Sequence, residues 1–131
     1  MKPASAKQKG RRLQQRVRDA ILEAFPSLHP DDVRSTSMGA SGADLQLSRA
    51  AFAVFPYRPE IKNVESLNIW KALAQAAAHG LRDTPPSAPL VVFSRNGEDV
   101  FATLPLPELL FLLRCRDLAG PYRRYHDHPR Q

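Results

Sequence analysis

Tyr57-Arg58-Pro59-Glu60-Ile61-Lys62-Asn63 is the stretch on which the fold turns. It follows Pro56 and reads as an extended segment. In a strand, residues two apart share a face. Glu60 and Lys62 therefore project together, and Ile61 points into a core. Upstream, Asp44-Leu45-Gln46-Leu47-Ser48 alternates, with Leu45 and Leu47 on one side and Asp44, Gln46 and Ser48 on the other. That is the pattern of a half-buried strand. If these two strands pair, Asp44 and Glu60 converge. A further short strand is expected around Val33, and residues 49–55 form a connection with room for a helical turn.

Helical spacing brackets these strands. From Gly10, the residues Leu13, Val17, Ile21 and Phe25 recur every four positions, Ala20 and Ala24 fill the same stripe, and Pro26 ends it. A second helix is expected from about Leu67, with Trp70, Leu73, Ala74 and Ala77 on its apolar side and Gly80 as its C-terminal stop. A turn-rich loop, Asp83 to Ser87, leads to an apolar strand, Leu90 to Ser94. Asn96-Gly97 supplies the positive φ of a hairpin turn, and Val100 to Leu104 completes the hairpin. Pro105 to Arg116 reads as an amphipathic helix rich in leucine. The order is helix, three strands, helix, two strands, helix. It predicts a layered α/β domain with helices packed on a central mixed sheet. Residues 1–9 read as a basic flexible arm, 10–117 as the folded domain and 118–131 as a basic and aromatic tail.

The chain has 131 residues, enough for one domain with a modest core. Hydrophobic residues at 43% and charged residues at 24% argue against wholesale disorder. No apolar run approaches the roughly 18 residues of a membrane helix, so no membrane association is expected. The N-terminus has positive charge with no apolar segment behind it, and no secretory leader is expected. Cys115 is the one cysteine. It excludes an internal disulfide and a zinc site built from cysteine pairs, and it suits a reducing compartment.

The net charge of +6 is carried at one end. Residues 1–18 hold seven cations (Lys2, Lys7, Lys9, Arg11, Arg12, Arg16 and Arg18) and no acid, and the rest of the chain is close to neutral. A basic arm leading into a helix favours a polyanion as partner, DNA or RNA before an acidic protein. The plain alternative is a solvated tail that aids solubility.

Two carboxylates on neighbouring strands suit a hard divalent ion such as magnesium, completed by water and substrate phosphate. A lysine beside them orients an attacking water and offsets charge on a phosphate. On the second helix, Asn68, Lys71, Gln75 and His79 form a polar stripe that either touches DNA backbone or faces solvent. Ser37 and Ser41 sit in the small-residue loop before Asp44, where hydroxyls or amides suit a phosphate, unless the loop is only a tight turn. No Gly-x-Ser-x-Gly is present, and His29 and His79 show no partner in sequence, so a serine hydrolase is not supported. His126-Asp127-His128 and Tyr122-Arg123-Arg124-Tyr125 read as tail segments.

Gly42-Ala43-Asp44, a strand, a connection, a strand ending Glu60-Ile61-Lys62 and then a helix resembles the PD-(D/E)XK nuclease superfamily. More narrowly, Lys9-Gly10-Arg11-Arg12-Leu13-Gln14, residues 34–44, Glu60-Ile61-Lys62-Asn63 and residues 67–76 look like phage-encoded relatives of archaeal-type Holliday junction resolvases. The resemblance runs from about Lys7 to about Leu113. It implies a restriction-endonuclease-like core and a magnesium-dependent DNA phosphodiesterase, with manganese able to substitute and no organic cofactor. It implies Asp44, Glu60 and the Ile61 carbonyl as metal ligands and Lys62 as the catalytic lysine, with Gln75 facing the active site. Gln14 stands where many relatives carry a glutamate. Lys9, Arg11, Arg12, Gln14, Arg16, Arg18, Ser37, Ser41 and Lys71 are the expected DNA contacts. A homodimer acting on branched DNA in the cytoplasm of a bacterial host is the corresponding expectation. Its rivals are a non-catalytic DNA-binding module on the same fold and a general nuclease without junction preference.

Overall fold

The computed structural model describes residues 5–36 and 43–119. The chain is α/β, with four α-helices among the described residues. Helix α1 (Ala6–Ala24) leads into a short 3-10 turn at Pro30–Asp32 and a two-stranded antiparallel sheet of β1 (Val33–Ser35) and β2 (Leu45–Leu47). Helix α2 (Arg49–Val54) connects to β3 (Glu60–Asn63), and helix α3 (Ile69–Arg82) follows. Strands β4 (Val91–Ser94) and β5 (Phe101–Thr103) precede helix α4 (Leu106–Ala119). The second sheet is mixed and ordered β3-β4-β5, with β3 parallel to β4 and β4 antiparallel to β5. The expected single central sheet is thus two sheets, and β2 pairs with β1 without a ladder to β3.

α1 begins four residues before the predicted Gly10. Ser5 and Gln8 form a reciprocal capping box, Gln8 N–H to Ser5 Oγ at 3.2 Å and Ser5 N–H to Gln8 Oε1 at 3.1 Å. Satisfying two orphan donors carries the helix into the basic arm. Its inner stripe, Leu13, Val17 and Ile21, packs on Val33 and Leu45 of the first sheet and on Ile61, Leu90 and Val92 beside the second. Each such side chain stabilises the fold by about 1.5–3 kcal/mol on burial, so α1 is the element that holds both sheets. Arg58 stacks over Phe52 at 4.5 Å and donates to the Pro85 carbonyl at 2.7 Å, tying α2 to the loop after α3 just ahead of β3.

α3 covers the other face of the mixed sheet through a stripe of small residues. Ala72 and Ala76 pack against Val91, with Leu67, Ile69, Leu73 and Phe93 around them. The predicted phase of this helix is wrong at Trp70, which is 80% exposed. Gly80 is no stop either: the helix runs through it to Arg82. Gly80 is buried, and a Cβ there would collide with the Ser87 carbonyl oxygen, whose own residue donates its N–H to the Gly80 carbonyl at 3.0 Å. The glycine is needed for a close backbone approach. Gly97 does sit in the hairpin turn as predicted, at φ +76°.

α4 differs most from expectation. It is not amphipathic: Leu106, Leu110, Phe111 and Leu118 are each more than half exposed, and Leu109, Leu112 and Leu113 are exposed as well. Its first turn is held by Tyr57, whose hydroxyl donates to Glu108 Oε1 at 2.6 Å. No described helix is long and apolar enough to cross a membrane.

Gly80→Ala should lower unfolding stability by about 1–3 kcal/mol, because the colliding atom is backbone and cannot rotate away. Urea denaturation of the two proteins measures the difference.

Candidate functional site

One edge of β3 carries the ladder to β4, and the other faces the β1–β2 sheet. Glu60 N–H donates to the Leu90 carbonyl across the β3-β4 ladder at 2.9 Å. Alternate residues of a parallel strand turn their backbone groups to opposite neighbours. Ile61 therefore directs its N–H and its carbonyl to the other edge. Asp44 stands there, its Oδ2 accepting the Ile61 N–H at 2.7 Å. Thr36 holds Asp44 from the far side, donating its N–H to the Asp44 carbonyl at 2.9 Å.

Side-chain alternation sorts the rest. Ile61 points to the core under α1. Glu60 and Lys62 point the other way, towards α3, as the sequence predicts. Glu60 is 7% exposed, and a buried carboxylate requires partners. It has two: Lys62 Nζ at 3.9 Å from Oε2, and His79 Nδ1, which stands against Oε1. His79 reaches it because Ala72, Ala76 and Gly80 let α3 lie close to the sheet. Burial pushes the Asp44 carboxyl above its ordinary value. The Ile61 N–H pulls it back, the Glu60 charge adds to the upward push, and Lys62 and His79 oppose it. Asp44, Glu60, Lys62 and His79 thus form one electrostatic cluster around the Ile61 backbone.

The donor set decides which ions fit. Two carboxylates and a carbonyl are hard oxygen ligands, suited to an ion that keeps much of its water shell, as magnesium does. Among the described residues no group of three or more His, Cys, Asp or Glu converges as a closed metal cage would require. By chemistry Asp44, Glu60 and the Ile61 carbonyl suit magnesium, while both Glu60 oxygens are engaged by Lys62 and His79 and Asp44 Oδ2 by the Ile61 N–H.

The remaining predicted positions fall in four groups. Gln75 and Lys71 lie exposed on α3, with Lys71 N–H capped by Asn68 Oδ1 at 3.1 Å. Arg11, Arg12 and Arg16 are exposed along α1, and Lys9 lies where its carbonyl meets Asn63 Nδ2 at 3.5 Å, at the end of β3. Gln14 and Arg18 are turned inward. Gln14 is 5% exposed and accepts from Ser35 Oγ at 2.8 Å, on the α1 side of the sheets. Arg18 donates from Nε to the Val33 carbonyl at 2.7 Å and from Nη2 to the Pro30 carbonyl at 2.9 Å, which locks α1 to β1. Ser37 and Ser41, like the histidines and the arginine-tyrosine segment of the tail, lie outside the described residues.

His79 is the site residue that sequence reasoning missed. The signal was its place in the Asn68, Lys71, Gln75, His79 stripe, and what was lacking was the position of Glu60 beneath it. Comparison with known proteins adds no relative: no family model, no curated protein and no solved structure matches the chain.

Because the folded state raises the Asp44 pKa, it binds this proton more tightly than the unfolded chain does. The destabilisation is absent below the ordinary value of 3.8 and grows as pH rises through the elevated folded value. Asp44→Asn keeps an oxygen for the Ile61 N–H and removes the charge. It should be at least as stable as the wild type at pH 7, with the gap closing towards pH 4, as thermal unfolding across that range would record.

Proposed function

We propose that this chain is a magnesium-dependent endodeoxyribonuclease of the PD-(D/E)XK type, acting on branched DNA as a homodimer in the cytoplasm of a bacterial host. The observation that carries the reading is the electrostatic coupling of Asp44 to Glu60 and Lys62 around the Ile61 backbone, whose N–H Asp44 accepts. Asp44, just ahead of β2, and Glu60 of β3, with the Ile61 carbonyl, would hold the ion, and manganese would substitute. When bound, the ion would neutralise the scissile phosphate and acidify the attacking water. Lys62 orients that water and stabilises the crowded phosphate through its ammonium group. His79 holds the Glu60 carboxylate in place. The exposed cations of α1, with Lys9 at the end of β3, line up DNA backbone, which positions the substrate without reading its sequence. That favours recognition of DNA shape. Gln75 and Lys71 extend the same surface along α3.

The bare face of α4 supports the dimer. A helix that is apolar all round is normally buried. Its exposed leucines and Phe111, together with Phe101 on the edge strand β5, leave apolar surface of the kind a partner covers. A second copy is the occupant this arrangement fits, and two equivalent sites suit two symmetric cuts.

A second reading is a non-catalytic DNA-binding module. It is favoured by one observation, the neutral Gln14, whose buried amide oxygen is taken up by the Ser35 hydroxyl. Cleavage of a synthetic four-way junction with magnesium separates the two. Asp44→Asn and Lys62→Ala should each reduce cutting by at least about 10²-fold while junction binding persists. Normal cutting by both variants overturns the site, and binding without cutting in magnesium or manganese favours the module. Comparison with duplex, flap and single strand at matched salt tests the junction preference. Light scattering should find a dimer, and Phe111→Glu should shift it to monomer.

A further inference from the structure

On the outer side of β1 lies a groove of about 410 Å³ between that strand and α1. Arg11, Gln15, Arg18 and Asp19 supply the helix wall, sharing one face by their four-, three- and one-residue steps. Arg34 and Thr36 supply the strand wall. The charges are unequal in role. Arg18 is committed to the Val33 and Pro30 carbonyls and to Asp19 Oδ1 at 3.0 Å, so that pair is neutral and fixed. Arg11 is exposed. Arg34 meets Asp31 only at 3.8 Å, with both side chains largely in water, an arrangement of little energetic weight. The groove therefore offers two adaptable guanidinium groups and the Gln15 amide on a rigid frame. Guanidinium forks are matched to phosphate oxygens.

The position of the groove gives it meaning. Thr36 lines it and is also the residue whose N–H meets the Asp44 carbonyl. Directly opposed residues of an antiparallel pair lie about 5 Å apart, so one wall of the groove, at Thr36, stands a single ladder step from the Asp44 backbone. We infer that this groove is a backbone subsite, in which Arg11 and Arg34 grip a phosphodiester of the nucleic-acid strand flanking the one at Asp44. The inference rests on the nuclease reading for its choice of ligand. It assigns to Arg34 and Gln15 a role that the sequence pattern did not suggest, and it explains why a basic residue is presented on an otherwise short edge strand. A free phosphate shares the same chemistry and is the competing source.

The test is metal-free binding of a labelled four-way junction to the full chain between 50 and 200 mM salt, with Arg34→Ala, Arg11→Ala and, as a control off the groove, Arg82→Ala. Arg34→Ala and Arg11→Ala should each weaken binding several-fold and lower the salt slope by about 1, the loss of one phosphate contact. Arg82→Ala should match the wild type, and Arg34→Lys should recover the slope while recovering only part of the affinity. Wild-type slopes in both groove variants, with cutting intact, overturn the subsite alone. Binding that responds as expected in a protein that never cuts overturns the nuclease reading and leaves the subsite standing. Inorganic phosphate at matched ionic strength forms the last arm. If it binds the wild type but not Arg34→Ala while the junction slopes stay equal, the groove holds free phosphate and the backbone assignment falls.

Discussion

The hydrogen bond from Ile61 N–H to Asp44 Oδ2 joins two sheets that share no strand ladder. The β1–β2 hairpin is held from below by α1, but laterally it meets the mixed sheet through a carboxylate standing where a strand's carbonyl would otherwise be. A side chain in that position does two things a backbone carbonyl cannot. It brings a formal charge to the sheet edge, and it leaves a second carboxylate oxygen for another task. The Ile61 carbonyl, directed to the same edge, would in a continuous sheet be spent on a neighbour. The gap between the sheets is thus what leaves these oxygens unpaired by a strand ladder.

Keeping that gap has a cost, visible in the electrostatics. Asp44 is pushed towards its neutral form by burial and by Glu60, and Glu60 is itself buried. The Asp44 charge so placed opposes folding, and the Ile61 N–H, Lys62 and His79 offset it only in part. Groups whose environments work against their charge collect at functional sites more often than in cores. The rest of the fold supplies the compensation. The α1 stripe buries leucine, valine and isoleucine against both sheets, and Arg18 fastens the helix to the outer edge of β1.

Much of the scaffold was legible in sequence because its signals are local. The four-residue rhythm of α1, the alternation of Asp44 to Ser48 and the Asn-Gly turn each depend on a few neighbouring residues, and each stands where the pattern put it. The Glu60 and Lys62 pairing followed from strand parity alone. α3 was read in the wrong phase for a physical reason. Ala72, Ala74, Ala76, Ala77 and Ala78 make almost every face weakly apolar, so periodicity could not choose between them, and Trp70 drew the reading towards itself. The sheet chose the face with the least bulk. α4 was misread because its leucines crowd all sides, and a stripe drawn through some of them ignores the others. The inward turn of Gln14 and Arg18 depends on where β1 lies, which no helix pattern encodes.

That choice of face on α3 is also what completes the site. Had Trp70 and Ala74 packed inward, the helix would have stood off from the sheet by the width of an indole. His79 would then have rotated away from Glu60. With Ala72, Ala76 and Gly80 inward, the helix backbone comes close enough for an imidazole, a short side chain, to touch a carboxylate on β3. The glycine makes the closest approach, against the Ser87 carbonyl, one residue after the histidine. Small residues therefore set the reach of His79 to Glu60. The exposed Trp70, Lys71 and Gln75 lie on α3 outside its buried Ala72, Ala76 and Gly80 stripe, available to whatever approaches the carboxylates from solvent.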